Sequence, residues 1–248
     1  MFVGSLSGYE FDTIDMAGKL KGPSRANLLG TDHYGRDVFT RVLYGARVAL
    51  KVGFMAVVIE GLIGVTFGLL AGYFGGFIER AILFVTDITW AMPPMILAMA
   101  IVTVMGPSVD NVAFSIAIVS WAQFTRIVRA KTMSLRERPF IEAAKSIGES
   151  DISIIVRYIL PNVAPSVIVL ATLAFPTAIM STTALGFLGL GAQPPTPDWG
   201  VMLSEGLSYL DNASWLSVFP GIAIVILVVG FNFLGEGLRE LIDPRMKL

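Results

Sequence analysis

From Tyr158 to Pro197 the chain carries no charged side chain, and none occurs from Ile88 to Val109 either. Runs this long constrain the fold more than any motif. About 20 apolar residues cross the hydrocarbon core of a bilayer as a helix. In lipid the backbone must satisfy its own hydrogen bonds, which leaves helices or closed barrels. Barrel strands need only about 9–11 residues, and they alternate in polarity; these runs are longer and do not alternate. The chain therefore reads as an all-α, polytopic membrane protein. Composition agrees, with 54% hydrophobic and 15% charged residues against about 25% charged in soluble domains.

Five spans are expected. The first covers Val52 to Ile78, where Glu60 is the sole charge, and the second Ile88 to Val109. The third, Asn111 to Thr125, is short, but Arg126 and Arg129 extend it if their side chains reach for the membrane surface. The Tyr158–Pro197 run is too long for one helix, so a span over Pro165 to Leu185 is followed by a non-spanning tail. The last span is Asn212 to Gly235.

The longest charge-rich stretch between spans holds Arg126, Arg129, Lys131, Arg136, Arg138, Lys145 and Arg157. An excess of Lys and Arg marks cytoplasmic loops, which places this stretch inside. The C-terminal segment, with Arg239, Arg245 and Lys247, lies one helix pair further on and shares that side. Five spans then put the N-terminus outside, although seven basic residues from Lys19 to Lys51 would by the same rule prefer the inside. The parity of two agreeing basic segments is given the greater weight. The opening "MFVGSLSGYEF" has neither the basic start nor the apolar stretch of a signal peptide.

Several functions are disfavoured. Net charge is −1 with no basic block, so nucleic acid is not an expected partner. There is no cysteine and one histidine, His33, a poor basis for a transition-metal site. HExxH is absent, as are paired intramembrane carboxylates and the GxxxxGK[ST] phosphate loop. An ion-coupled secondary transporter would show inverted repeats and more intramembrane charge than Glu60 alone.

One interrupting loop stands out: "EAAKSIGESDISIIVRYILP", Glu142 to Pro161. Pro139 suits a helix's first turn and Gly148 its end. Phe140, Ala143, Ala144 and Ile147 fall on one face by spacing. Asp151 is placed to cap a second helix whose apolar face is Ile152, Ile155, Val156 and Ile159, with Pro161 marking the return to the membrane. On periodicity alone this helix–turn–helix is either an amphipathic linker on the bilayer or a docking element whose small alanines allow close approach.

The spacing Glu-Ala-Ala, three residues, Gly, then Leu-Pro closing the run is similar to the EAA signature of bacterial ABC importer permeases. Glu142, Ala143, Ala144, Gly148, Leu160 and Pro161 match it; Tyr158 stands where isoleucine is commonest. "LLGTDHYGRDVFTRVLYGARVAL", "ALGFLGLGAQPPTPDWGVML" and "FNFLGEGLRELIDPRMKL" resemble segments of dipeptide, oligopeptide and nickel permeases. The resemblance implies a type I permease core of five helices with coupling helices in the cytoplasm. It also implies no cofactor and no catalysis in this chain. The implied partners are a second homologous permease, two cytoplasmic ATPase subunits that grip the EAA loop, and an extracytoplasmic binding protein. The substrate it suggests is a di- or oligopeptide, with nickel or oligosaccharide as alternatives. It further implies a division into an outer segment 1–46, a core 47–236 with the coupling loop at about 131–160, and an inner tail 237–248. Such permeases carry a further helix upstream of the Gly-Thr-Asp segment, which this sequence lacks.

Other residues have two readings each. Gly64, Gly68, Gly72 and Gly76 recur every four residues and permit close helix contact, within this chain or with a partner permease. Glu60 either faces the translocation path or pairs with a basic group. Pro93 and Pro94 must break the second span, as a static kink or a hinge. Arg80 and Asp87 share a helical face and can brace it. Residues 189–200 cannot be a regular helix throughout; Asp198 and Trp199 there are candidate contacts for the binding protein, or part of a plug over the outer face. His33 is read as a surface residue.

Overall fold

The computed structural model describes residues 9–242; Arg245 and Lys247, and with them the second half of the expected tail 237–248, lie outside these. Helices dominate the described residues, and the one β feature among them is an isolated bridge between Thr31 and Asp37. In chain order the helices are α1 (Val38–Phe74), α2 (Gly76–Ala91), α3 (Pro94–Met105), α4 (Val109–Arg136), α5 (Pro139–Ser146), α6 (Asp151–Phe187), α7 (Trp199–Leu207), α8 (Leu210–Ala213) and α9 (Trp215–Ile242). Four of these, α1, α4, α6 and α9, are long and apolar enough to cross a membrane; α2 and α3 add a fifth span if the pair is counted as one.

The expected spans are present with shifted limits. α1 starts at Val38, well before Val52, because Asp37 caps it: its carboxylate accepts from Thr40 N and Thr40 Oγ1 at 2.8 and 2.7 Å. Charges at Arg41, Arg47 and Lys51 therefore lie within the helix, where hydropathy alone sets a boundary. α1 stops at Phe74 instead of running to Ile78, because Gly75 takes φ 67°. The second expected span is two helices bent by 91° at Met92–Pro93, the break that the two prolines require. α4 runs on past Thr125 to Arg136. Both of the arginines expected to extend this span have acidic partners. Arg126 pairs with Asp87 and lies over the Trp90 ring, and Arg129 pairs with Glu79. Asp87 is thus braced by Arg126, not by Arg80.

Contacts divide the chain into two compact units. The first comprises the residues up to Met55, with Met99–Ile116 and Phe175–Phe231. Its polar heart is the "GTDHYGRD" segment, folded on itself. Asp32 accepts from Tyr34 N and Arg36 N and pairs with Arg36 Nε at 2.6 Å. Arg41 approaches the same carboxylate at 3.6 Å. Thr31 Oγ1 donates to Gly18 O, and Trp215 Nε1 donates to Thr31 O. Gly30 and Gly35 supply the positive φ, 78° and 74°, that this tight path needs. Thr31, Asp32, Arg36, Asp37 and Arg41 are all buried. Such a cluster is tolerated because nearly every buried polar group has a partner. His33 is half-buried, stacked on Tyr209 at 5.5 Å, and so is not the free surface residue expected.

The second unit comprises Ala56–Ala98, Ala117–Ala174 and the residues from Asn232. Here the glycine stripe lies against α4. A Cβ at Gly68 would stand 2.6 Å from Val128 Cβ and 2.8 Å from Thr125 O; one at Gly72 would stand 2.7 Å from Arg129 O. Gly64 faces Trp121 O and Phe124 in the same way. Of the two readings of the stripe, packing within the chain is the one observed for these three. Gly76 is not part of it, since it begins α2 and a Cβ added there would meet nothing within 4 Å.

Candidate functional site

The loop after α4 is built from its caps. Pro139 opens α5, as its spacing predicts. At the other end Gly148 has φ 83°; its N–H bonds Lys145 O, and Glu149 N–H bonds Ala144 O. That pair of bonds is a Schellman stop, which needs a residue that tolerates a left-handed backbone. The second helix is capped by Ser150, whose Oγ accepts from Ser153 N; Asp151 is its first helical residue, not its cap. Nor does Pro161 end anything. α6 continues through it to Phe187 by way of a π turn over Ile155–Ile159, with Leu160 N–H reaching back to Ile155 O. In a regular turn the Pro161 ring would strike the carbonyl four residues earlier; the wider turn moves that carbonyl aside.

The apolar faces differ from those expected. Ile141 and Ala144 point inward. They join Ile154, Ile155, Ile159 and Val163 of α6, Leu69 and Tyr73 of α1, and Val128 of α4 in one buried cluster. Ala144 is therefore a core residue and not a contact for a partner. Left outside are Phe140 and Ala143 of α5 and Ile147 at its C-cap, with Ile152 and Val156 of α6; Ile147 is 77% and Ile152 74% exposed. The spacing argument failed because α5 has apolar residues on both faces, and periodicity cannot say which face meets the chain's own core. Glu142 is exposed, Leu160 half-buried and Pro161 exposed. Tyr158 donates to Glu149 Oε1 at 3.2 Å, and Ser153 Oγ donates to Glu149 Oε2 at 2.8 Å, so the departure at 158 ties the turn to the helix that follows it.

Sequence reasoning missed Tyr73. Its ring is 5% exposed in the cluster below the loop, and its hydroxyl donates to Asp151 Oδ1 at 2.6 Å. Arg136 Nη1 donates to the Tyr73 carbonyl at 3.0 Å, and Lys145 Nζ sits 5.3 Å from the ring centroid. A hydroxyl-bearing ring just before the glycines that end a span is the one sequence sign of this role.

The remaining candidates lie elsewhere. Glu60 is 2% exposed, and Ser120 of α4 is its hydrogen-bonding neighbour. Among the described residues no ion pair includes it, so the expected basic partner is not there. Asp198 and Trp199 are both 4% exposed and unsuited to surface contact. Asp198 caps α7, accepting from Gly200 N and Val201 N at 2.8 and 3.2 Å, and Ala192 N also donates to it. Burial pushes its carboxyl above the ordinary carboxylate range, against the pull of those three N–H groups. Trp199 Nε1 donates to Val42 O at 2.9 Å. The segment between α6 and α7 is irregular, as its prolines require, and exposes Gln193, Pro194 and Pro195 instead. Among the described residues no group of three or more His, Cys, Asp or Glu stands together to hold a metal.

Comparison with known proteins fits this arrangement. Residues 64–248 match the family model described as binding-protein-dependent transport system inner membrane component. A dipeptide transport system permease protein, DppC, of Alkalihalophilus pseudofirmus is 47% identical over 247 residues, covering 100% of this chain and 81% of the relative. A glutathione transport system permease protein, GsiD, of Escherichia coli is 44% identical over 239 residues, covering 96% and 77%. Among solved structures, the MetNI methionine ABC transporter in an inward-facing conformation superposes with TM-score 0.65 at 19% identity, covering 82% of this chain and 96% of that one. That likeness carries the fold, a type I importer permease. With the family model spanning most of the chain and relatives this similar along its length, the chain belongs to the family of binding-protein-dependent inner-membrane permeases, the membrane subunits of ABC importers.

Proposed function

We propose that this permease forms half of the path for di- or oligopeptides in a binding-protein-dependent importer, and that the exposed face of α5 and the start of α6 is where a cytoplasmic ATPase docks. The peptide reading rests on the relatives: one is named for dipeptides and the other for glutathione, itself a tripeptide. The docking reading rests chiefly on one observation, the apolar face of Phe140, Ala143, Ile147, Ile152 and Val156 left uncovered on a loop rich in charge. A side chain of this size gains about 1.5–3 kcal/mol on leaving water, so a groove that buries several is strongly favoured. Beside that face the exposed Glu142 supplies a polar contact, and Gly148 fixes the angle at which α5 is presented. Ala144 and Ile141 serve from below by seating α5 on the core.

In this reading residues 1–46 face outward, and the loop of about 131–160 and the tail 237–248 face the cytoplasm. The partners are a second homologous permease, two ATPase subunits that hydrolyse ATP, and an extracytoplasmic binding protein. Gln193, Pro194 and Pro195 are better placed to meet that protein than the buried Asp198 and Trp199.

The test is co-purification of the ATPase with permease carrying Ile147→Asp, Ile152→Asp or both. These side chains are exposed, so permease abundance should stay normal while the ATPase is lost. If the double variant keeps its ATPase at wild-type stoichiometry, the docking assignment is wrong.

A further inference from the structure

We propose that Tyr73 is the joint through which movement of the docking loop is passed into the membrane, by way of its hydroxyl's bond to Asp151. The proposal rests on the docking reading given above and adds the element by which that site acts on the rest of the chain.

Three observations converge on this residue. First, the loop is attached to α1 as well as to its own flanking helices. Tyr73 belongs to the same buried cluster as Ile141 and Ala144 of α5 and Ile154, Ile155 and Ile159 of α6. Second, polar contacts at this end of α1 meet on one residue. The Tyr73 hydroxyl donates to Asp151 at 2.6 Å, its carbonyl accepts from Arg136 at the end of α4, and Lys145 of α5 stands over its ring. One residue therefore contacts the end of α4, the body of α5 and the start of α6. Third, α1 ends immediately beyond it: Gly75 and Gly76 follow at φ 67° and 57°. Tyr73 is at the tip of a helix of 37 residues, where a displacement of the loop reaches α1 before the chain turns into α2.

The bond to Asp151 is suited to transmission more than to stability. Asp151 is exposed, so it is hydrated when its partner is lost. Phenylalanine fills the same space in the apolar cluster. Tyr73→Phe therefore leaves no buried polar group unpaired, the usual source of a large folding cost. It removes a short bond to a carboxylate, the stronger kind of hydrogen bond, and leaves apolar packing as the link between α1 and the first turn of α6. Tyr73 acts through Asp151 and the loop and touches neither the solute nor the nucleotide, which makes it a positioning residue.

The experiment uses the reconstituted complex of both permeases, the ATPases and the binding protein purified with the ligand it carries. Basal ATP hydrolysis and its stimulation by the loaded binding protein are measured for Tyr73→Phe, Asp151→Asn, Asp151→Leu and Tyr73→Phe/Asp151→Leu. The expected result for Tyr73→Phe, whose side chain is buried beneath the docking face, is normal ATPase stoichiometry and basal hydrolysis. Stimulation should fall about tenfold in Tyr73→Phe and in Asp151→Leu, the lower end of what one hydrogen bond to a charged group is worth. The double variant should be no worse than either single one, and Asp151→Asn, which keeps an acceptor, should retain most of the stimulation. Unchanged stimulation in Tyr73→Phe overturns the proposal. So does loss of the ATPase from that variant, because Tyr73 would then only shape the docking face. Additive losses in the double variant also overturn it, because the two residues would act separately. Failure of the docking reading itself appears elsewhere, in an ATPase that stays bound to Ile147→Asp/Ile152→Asp.

Discussion

Gly68→Ala adds one methyl group where α1 packs against α4, and its cost can be worked from the distances. The new Cβ would stand 2.8 Å from Thr125 O and 2.6 Å from Val128 Cβ. Carbon–oxygen contacts between packed helices sit at about 3.3–3.6 Å, so the helices must part by roughly half an ångström. The first of the two offending atoms is backbone and cannot rotate away. A gap of about half an ångström forfeits roughly a quarter of each dispersion contact along the seam, and overpacking of this kind costs about 1–3 kcal/mol. Gly230→Ala is the control: it lies in α9, and nothing comes within 4 Å of the added carbon. There the higher helix propensity of alanine acts alone, a gain of up to about 1 kcal/mol. Unfolding of purified permease by SDS titration should rank Gly68→Ala below wild type and Gly230→Ala at or above it. Equal stability of the two variants would show that the glycine stripe does not set the distance between these helices.

Two further predictions rest on buried carboxylates. Glu60→Gln should fold and assemble within about 1 kcal/mol of wild type, because amide and carboxyl have similar size and both can bond Ser120, and no charge need enter lipid. Severe loss of folded protein in quantitative membrane fractionation would point to an ionised Glu60 with a partner. For Asp198 the folded-state pKa is raised, so the folded protein holds this proton more tightly than the unfolded chain. Its contribution to stability is greatest at low pH and declines as pH rises from the ordinary value of about 3.9 through the raised one. The Asp198→Asn variant should lack that decline. Thermal unfolding of both proteins across this range should show their difference changing with pH, and a constant difference would count against a raised pKa.

The sequence was read well where one physical rule acts alone. Charge-free length gave the helices, the Pro93–Pro94 pair gave the sharp break, and Gly148 and Pro139 gave the limits of α5. It was read poorly where two rules compete. Charges at Arg41 and Lys51 suggested a boundary, but Asp37 caps the helix earlier and the backbone bonds continue past them. Pro161 suggested the return to the membrane, but the helix that begins at Asp151 runs through it by way of a π turn. Phe140, Ala143, Ala144 and Ile147 share a face by spacing, yet of these only Ala144 joins the buried cluster, beside Ile141 of the neighbouring face. Asp198 and Trp199 looked like surface contacts because they follow a proline-rich loop; each instead satisfies backbone groups in the interior. Facts of this kind depend on which surfaces the chain brings together, and Tyr73 is the clearest case, since its partner Asp151 is far along the sequence.

The continuity of α6 has a mechanical meaning. The segment that carries Ile152 and Val156 on its surface is the same rod that runs on to Phe187. At about 1.5 Å per residue its 37 residues amount to roughly 55 Å of continuous helix. A break at Pro161 would have divided that length; the π turn keeps the backbone helical through it. On the docking proposal, a small rocking of the ATPase beneath the membrane would therefore pass Pro161 along unbroken helix instead of being lost at a break there.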